Sequence, residues 1–280
     1  MRIGRSAYLV TLTIVLLSLA FPAAAQQEPY EPSVGQDGKD VIWVPTPTEL
    51  ITALLDMAKV SSDDFVMDLG SGDGRFVIAA AKRGARALGV EYNPDMVQLA
   101  QANARKEGVS DHASFVRGDI FETDFSQATV VTLYLLPNLN LRLRPKILDM
   151  KPGTRVVSNS FSMEDWEADD TVDVEGRTGY FWIVPAKVAG AWTLRTPSGE
   201  AELNLRQTFQ KLEGSLKMGP KELPIQEAKM RGDEIHFTVA EGNPTTREYT
   251  GRVRGNSIEG WAKIVGGSDV KWSAERRTAP

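Results

Sequence analysis

The sequence predicts an α/β protein with a doubly wound, mostly parallel sheet, followed by a small all-β antiparallel domain that is a barrel or a sandwich. Two observations predict this division. Between residues 45 and 188, short apolar strands alternate with amphipathic helices, which is typical of a parallel sheet. From residue 189 to residue 280, short alternating runs recur about every 8–12 residues with turn residues between them, which is typical of antiparallel strands.

Composition narrows the class of protein. The chain has 280 residues, 42% hydrophobic and 25% charged, which is ordinary for a globular protein of one large or two modest domains. A net charge of -5 argues against general binding to nucleic acids, so no nucleic-acid partner is expected. The chain has no cysteine and only two histidines, which lie far apart, so we predict no disulfide and no metal site.

The first 25 residues have the pattern of a secretory signal peptide. Arg2 and Arg5 precede an apolar run, which ends on the small residues Ala23 to Ala25. We therefore expect an exported protein, periplasmic or secreted, that begins near Gln26. The alternative is an uncleaved anchor that would hold the protein at a membrane, because the run is just long enough to span one. Residues 26–44, which are polar and without periodicity, are interpreted as a linker.

Periodicity predicts the elements of the first domain. A helix spans residues 50–58, with Thr46 or Thr48 as its N-cap. Further helices are expected at 75–83, 94–107 and 138–150, and strands at 65–69, 87–90, 114–117, 129–135 and 155–158. A final hairpin is expected from residues 171–175 and 180–184.

Turn residues divide the second domain. They occur at Glu213-Gly214, Gly232-Asp233, Gly242-Asn243, Gly255-Asn256 and Gly266-Gly267. Three tryptophans lie among the strands, namely Trp192, Trp261 and Trp272, and they form either the core or a binding face, of which we favour the core. Trp166, in the first domain, is expected either to close over a ligand or to pack on the surface.

A glycine-rich turn follows the first strand, in the sequence Asp68-Leu-Gly-Ser-Gly-Asp-Gly-Arg75. Ligands of open α/β sheets bind at the carboxyl ends of strands, where this turn lies. Asp68 favours a cationic ligand group, whereas a dinucleotide fold would bring a pyrophosphate here, which an anion repels. A nicotinamide site would also need its third glycine at Arg75.

Two further acids follow the next two strands. Glu91 can accept hydrogen bonds from both hydroxyls of a ribose. Asp119 can accept from an adenine amine, and Ile120 can cover a face of that ring. Each acid alone could be a cap or turn residue, but three acids at the ends of three successive strands indicate one nucleoside site.

These residues resemble the class I S-adenosylmethionine-dependent methyltransferases, from about Val44 to Val184. More narrowly, Trp43–Pro47 (WVPTP), the glycine-rich turn and Val131–Pro137 (VTLYLLP) resemble the small membrane-associated protein-lysine methyltransferases and their prokaryotic relatives. The resemblance implies a Rossmann-like domain with a seven-stranded sheet over residues 45–188. The β domain over residues 189–280 and the export signal depart from that family's usual pattern.

The resemblance also implies the cofactor and the site. S-adenosyl-L-methionine would be held by Asp68, Gly70, Ser71, Gly72, Gly74, Glu91, Tyr92, Asp119 and Ile120. Thr46 and the segment from Tyr134 to Pro137 would line the acceptor site, with Tyr134 orienting and desolvating an amine. The alternative for Tyr134 is a packed strand aromatic.

The methyl acceptor stays open between three interpretations. The first is an enzyme that methylates a protein lysine or another amine. The second is a small-molecule methyltransferase whose β domain roofs the pocket. The third is an exported protein that binds a ligand or partner through a non-catalytic domain of this fold. The sequence predicts no oligomeric state.

Overall fold

The computed structural model describes residues 30–240, 242, 246–264 and 268–277. The predicted signal peptide, the start of the predicted linker and the expected turn at Gly266-Gly267 lie outside these residues, as does Asn243. The elements described below all belong to one compact unit, Pro32–Pro280. Within the described residues, we find no helix with the length and hydropathy needed to cross a membrane.

Four helices and seven strands form the first domain. The helices are α1 (Thr48–Met57), α2 (Arg75–Lys82), α3 (Pro94–Lys106) and α4 (Pro137–Leu148). The strands are β1 (Phe65–Leu69), β2 (Arg86–Glu91), β3 (Ala113–Arg117), β4 (Val130–Leu133), β5 (Arg155–Asn159), β6 (Asp170–Val174) and β7 (Arg177–Ile183).

The sheet has the order β3-β2-β1-β4-β5-β7-β6. Its first five strands are parallel, and β7 extends the sheet at the β5 edge by pairing antiparallel with both β5 and β6. The strand order reverses between β1 and β4, where Asp68 pairs with Thr132. A crevice opens at the carboxyl ends of the strands at such a reversal. The predicted Rossmann-like fold is confirmed.

Apolar side chains cover both faces of this sheet. One cluster packs α1, α2 and α3 against alternate strand residues such as Val66 and Val130, and a second packs α4 against their neighbours Met67 and Val131. This alternation follows from the two-residue period of a strand. The sheet is therefore a rigid base, on which the loops at one edge are held in place.

The N-cap predicted for the first helix is wrong. Asn93 caps α3 by accepting a hydrogen bond from the Asp95 N–H at 2.9 Å. Helix α1 has Pro47 at its N-cap and no side-chain cap, so neither Thr46 nor Thr48 has the predicted role. The Thr46 hydroxyl instead accepts a bond from Asn159, which lies at the end of β5.

Eight antiparallel strands close into a barrel, which decides between the barrel and the sandwich. They are β8 (Gly190–Thr196), β9 (Gly199–Thr208), β10 (Lys211–Met218), β11 (Lys221–Arg231), β12 (Glu234–Ala240), β13 (Thr246–Arg254), β14 (Ser257–Ile264) and β15 (Val270–Arg276). Each strand pairs with the next, and β15 pairs with β8. A closed barrel leaves no sheet edge unpaired.

Aromatic side chains fill the barrel interior. Phe237 and Tyr249 stack with 4.6 Å between ring centroids, and Trp272 meets both edge-on. Trp192 is also fully buried. The prediction that all three tryptophans belong to the core is wrong for Trp261, which is 50% exposed because its position on β14 faces outward.

One predicted turn is a strand interior. Glu213-Gly214 lies within β10, and the chain reverses instead at Phe209-Gln210. The glycine is required there for another reason, since a Cβ on Gly214 would lie 1.9 Å from the carbonyl oxygen of Asn204 on β9. Gly232-Asp233 and Gly255-Asn256 are turns, as predicted.

The barrel contacts the first domain through its own turns. Gly232, between β11 and β12, accepts a bond from the Ala186 N–H at 2.7 Å. In the turn between β9 and β10, Phe209 joins the apolar cluster on the α4 face of the sheet. The two domains thus share packed and hydrogen-bonded contacts.

Candidate cofactor and acceptor site

A cavity of about 790 Å³ lies at the carboxyl ends of the central strands. It brings together most of the residues predicted from the sequence: Thr46, Asp68, Gly70, Ser71, Gly72, Glu91, Tyr92, Asp119, Ile120 and Tyr134. Gly74 and Pro137 do not line it. The crevice predicted from three loops is therefore one continuous space.

Gly74 and Pro137 both lie at the start of a helix. Gly74 is the N-cap of α2 with a φ of 87°, and a Cβ there would lie 2.7 Å from the ring of Phe115. It thus allows close packing of α2 rather than approach of a ligand. Pro137 is the exposed first residue of α4, where the missing N–H costs no hydrogen bond.

Asp68 is a buried carboxylate without a basic partner among the described contacts. It is 4% exposed and accepts a 2.6 Å hydrogen bond from the Thr132 hydroxyl. The pKa of Asp68 is raised to about 7, mainly by burial and also by the nearby carboxylates of Glu91 and Asp73, which together outweigh the lowering effect of the Thr132 hydrogen bond. Such an acid gains most from a cationic ligand, because a positive charge would compensate the lost hydration.

Ser71 has an unused hydrogen-bonding group in the same place. Its side-chain oxygen is buried and has no hydrogen-bond partner among the described residues. Buried polar groups are normally paired, so the Ser71 hydroxyl is available to a ligand in the cavity that this residue lines. Ser71 and Asp68 together offer a hydroxyl and a carboxylate, which fit the amino-acid end of S-adenosylmethionine.

Glu91 is held by backbone donors on both of its oxygens. It accepts from the Gly72 N–H at 3.0 Å and from the Asn93 N–H at 2.9 Å. Each carboxylate oxygen can accept a second bond, so the oriented carboxylate is free to receive two hydroxyls of a ribose. The sequence-based role of Glu91 fits this geometry.

Asp119 has a partner that the sequence did not reveal. Its carboxylate accepts from the Phe121 N–H at 2.9 Å and forms an ion pair with Lys39. This ion pair lowers the pKa of Asp119 from its usual value and raises the pKa of Lys39 from its usual value. The Lys39 ammonium also lies 4.9 Å from the centre of the Tyr92 ring.

Lys39 belongs to a short hairpin that covers one side of the cavity. The Gly35 N–H donates to the Trp43 carbonyl at 2.8 Å, and the Trp43 N–H donates to the Gln36 carbonyl at 2.9 Å. The Trp43 indole lies directly against Gly72 of the glycine-rich turn. Residues 36–44 line the cavity, so the linker interpretation is wrong for them.

The opposite end of the cavity is mostly aromatic and apolar, and the Arg75 guanidinium donates to the Thr46 carbonyl there at 2.7 Å. Tyr134 follows β4 and stacks on Phe161 with 6.2 Å between ring centroids. Thr46 is buried beside them, and its hydroxyl accepts from the Asn159 amide at 3.1 Å. Phe161 and Asn159 were not predicted from the sequence, although both lie at the end of the fifth strand, where a ligand-facing loop is expected.

The expectation for Trp166 is wrong. Trp166 is 0% exposed, so it neither closes over a ligand nor packs on the surface. Among the described residues, no group of three or more histidine, aspartate or glutamate side chains is placed to hold a metal ion.

Comparison with known proteins agrees with this geometry. The family model of the ANTKMT methyltransferase domain matches residues 68–170. A protein-lysine N-methyltransferase of Saccharolobus islandicus (strain REY15A) is 46% identical over 151 residues, which are 51% of this chain and 94% of that protein. The adenine nucleotide translocase lysine N-methyltransferase of Mus musculus is 36% identical over 104 residues, 36% of this chain. The match spans 45% of that mouse protein.

A solved structure is similar over about half of the chain. It is an RNA methyltransferase from Salinibacter ruber in complex with S-adenosyl-L-homocysteine, 50% identical, with a TM-score of 0.51. The similarity covers 52% of this chain and 96% of the Salinibacter chain. The matched family model ends at residue 170, before the barrel.

The fold, the cavity at the strand reversal and these relatives define a class I methyltransferase that uses S-adenosylmethionine. The chain belongs to the family of methyltransferases built on the ANTKMT methyltransferase domain.

Proposed function

We propose that this methyltransferase transfers the methyl group of S-adenosylmethionine to the side-chain amine of a protein lysine. The observation that carries the proposal is that Tyr134, Leu139 and Phe161, beside Thr46, give the acceptor end of the cavity aromatic and apolar walls. Apolar and aromatic walls suit the aliphatic stem of a lysine. The Saccharolobus and mouse relatives, both named as lysine N-methyltransferases, support the same acceptor.

The cofactor would be held by the acids at the strand ends. Asp68 would bind the methionine ammonium, Glu91 the ribose hydroxyls, and Asp119 with Ile120 the adenine. When bound, S-adenosylmethionine supplies an activated methyl group on a sulfonium. The protein's contribution is to orient the two partners and to exclude water between them.

The acceptor amine must be neutral to react. A free lysine has a pKa of about 10.4 and is mostly charged at neutral pH. Desolvation disfavours the charged form, so the walls around Tyr134 and Phe161 would lower that pKa. The Tyr134 and Thr46 hydroxyls can accept a hydrogen bond from the amine and aim its lone pair, while the released proton passes to solvent.

The first test is the binding of S-adenosylmethionine by calorimetry to the wild-type protein, Asp68→Ala and Glu91→Ala. We expect binding by the wild type and loss in both variants. A well-folded wild type without binding would overturn the cofactor assignment and favour a non-catalytic binding protein.

The second test identifies the acceptor. The protein is incubated with labelled S-adenosylmethionine and a library of lysine peptides, the same peptides with arginine in place of lysine, total RNA, and a panel of small amines. We expect label only in the lysine peptides. Label in RNA, as the name of the Salinibacter relative suggests, or in the small amines alone would refute the lysine acceptor.

We also propose that the protein acts outside the cytosol, in the periplasm or as a secreted protein. The charged and apolar pattern of residues 1–25 supports this proposal, and retention of that segment would tether the protein to a membrane. Fractionation of the native host with N-terminal sequencing tests both. A cytosolic protein that keeps Met1 would contradict export.

A further inference from the structure

We propose that the barrel positions the acceptor end of the cavity through its Phe209-Gln210 turn, in which the Phe209 ring packs on the loop 160–166 and the Gln210 amide donates to the Glu167 carbonyl just after that loop at 2.8 Å. The proposal rests on the proposed function only in taking the Tyr134–Phe161 end as the acceptor site. Phe209 lies in the turn between β9 and β10, and the loop 160–166 follows β5.

Phe209 packs into the first domain rather than into the barrel. Its ring stacks on Trp166 with 6.0 Å between centroids and an interplanar angle of 21°. Trp166 in turn packs against Trp182 of β7, and the Trp182 indole N–H donates to the Trp166 carbonyl at 2.8 Å. The turn of the barrel is thus continuous with the buried end of the loop.

A second contact links Phe209 to the middle of the loop. The Arg144 guanidinium on α4 lies 5.2 Å from the centre of the Phe209 ring, a distance typical of a cation–π contact. The same guanidinium donates to the Met163 carbonyl at 2.9 Å and pairs with Asp165. Phe209 therefore contacts both side chains that hold this half of the loop, Trp166 and Arg144.

The other half of the loop forms the acceptor wall. The Asn140 amide donates to the carbonyls of Phe161 at 3.2 Å and Ser162 at 3.3 Å. Phe161 then stacks on Tyr134 across the acceptor end. The position of the Phe161 ring depends on a short loop fixed at one end by Asn140 and at the other by Trp166 and Arg144.

The backbone at Phe209 is strained. Its φ is 54°, in the left-handed region that glycine and asparagine adopt readily and a bulky aromatic residue does not. A two-residue turn between strands would favour one of those residues, so the Phe209 ring is held there by what it contacts. The ring contacts are Trp166 and Arg144, which lie outside the barrel, while the Phe209 carbonyl accepts from the Gln207 amide of β9 at 2.8 Å.

The test uses a variant that separates barrel stability from positioning. Phe209→Gly removes the ring and relieves the backbone, so the barrel should fold at least as stably. Amide hydrogen exchange is measured on wild type, Phe209→Gly, Phe209→Tyr and Trp261→Ala. We expect exchange within residues 160–166 to become at least ~10-fold faster in Phe209→Gly alone, with β1, β2 and the barrel strands unchanged.

A kinetic readout accompanies it, with the lysine peptide selected above as acceptor. In Phe209→Gly, we expect a raised KM for the peptide with an unchanged affinity for S-adenosylmethionine, and recovery in Phe209→Tyr. Unchanged exchange in the loop, or a KM equal to that of the wild type, would overturn the proposal. A wild type that methylates no lysine would refute the proposed function instead, and the exchange data would still decide the role of Phe209.

Discussion

Replacing Asp68 by asparagine should stabilise the protein in the absence of cofactor while abolishing cofactor binding. The buried carboxylate has a pKa of about 7, against 3.8 for an ordinary aspartic acid, mainly because burial removes its hydration. Asparagine has nearly the same shape and can still accept the hydrogen bond from Thr132. It carries no charge, so it avoids the loss of hydration but cannot pair with an ammonium.

The magnitude follows from the shift in pKa. A shift from 3.8 to about 7 corresponds to about 4 kcal/mol, at 1.36 kcal/mol per pH unit. Between these two pH values, the folded protein keeps a proton that the unfolded chain has released, so wild-type stability falls as the pH rises through this window. The advantage of Asp68→Asn is therefore absent near pH 4 and complete above pH 7, on the order of 10 °C in Tm.

The assay is thermal or denaturant unfolding of both proteins at several pH values between 4 and 8, with and without S-adenosylmethionine. The cofactor should raise the Tm of the wild type only, and its affinity should weaken below pH 7, because protons compete for Asp68. Asp68→Asn and wild type of equal stability at pH 8 would refute the raised pKa. Wild-type affinity in the variant would refute the pairing of Asp68 with the ammonium.

Three further predictions concern the hairpin, the acceptor end and the barrel. Lys39→Ala should strengthen the binding of S-adenosylmethionine severalfold in calorimetry, because the substitution frees Asp119 and removes a positive charge from the site of a cationic ligand. Weaker binding would instead show that Lys39 helps to hold the cofactor. Tyr134→Ala should lower kcat/KM by about 10²-fold through misplacement of the acceptor, with a smaller loss in Tyr134→Phe, whereas full turnover in both would exclude a role for Tyr134. Gly214→Ala should destabilise the barrel by about 3 kcal/mol in denaturant unfolding, because its Cβ would meet the Asn204 carbonyl oxygen at 1.9 Å, and an unchanged midpoint would contradict this packing.

The acids of the cofactor site could be predicted from the sequence because each is tied to a local pattern. Asp68, Glu91 and Asp119 come at or just after the ends of apolar strands, and parallel strands bring those ends to one edge of the sheet. Strand and helix positions follow from the same short-range periodicity. Fold class and site location thus share one source of information.

The contacts that escaped prediction are long-range and lack periodicity. Lys39 reaches Asp119 from a segment that has no regular pattern, and Phe209 reaches Trp166 from a barrel turn. Gly214 resembles a turn residue in the sequence, but the position requires glycine because the neighbouring strand leaves no room for a Cβ. Such requirements come from residues distant in the chain, so a local pattern does not contain them.

The barrel's packing decides which role it can have. Its interior is filled by large side chains such as Trp192, Phe237 and Tyr249, all buried, whereas barrels that enclose a ligand keep a cavity there. The residues that line the cofactor and acceptor cavity all lie between Gln36 and Phe161, so the barrel does not roof the pocket either. The barrel does contact the first domain through its turns. A domain that contacts the acceptor loop through a turn can affect methyl transfer by holding that loop, which is the reason to test Phe209 before any surface of the barrel.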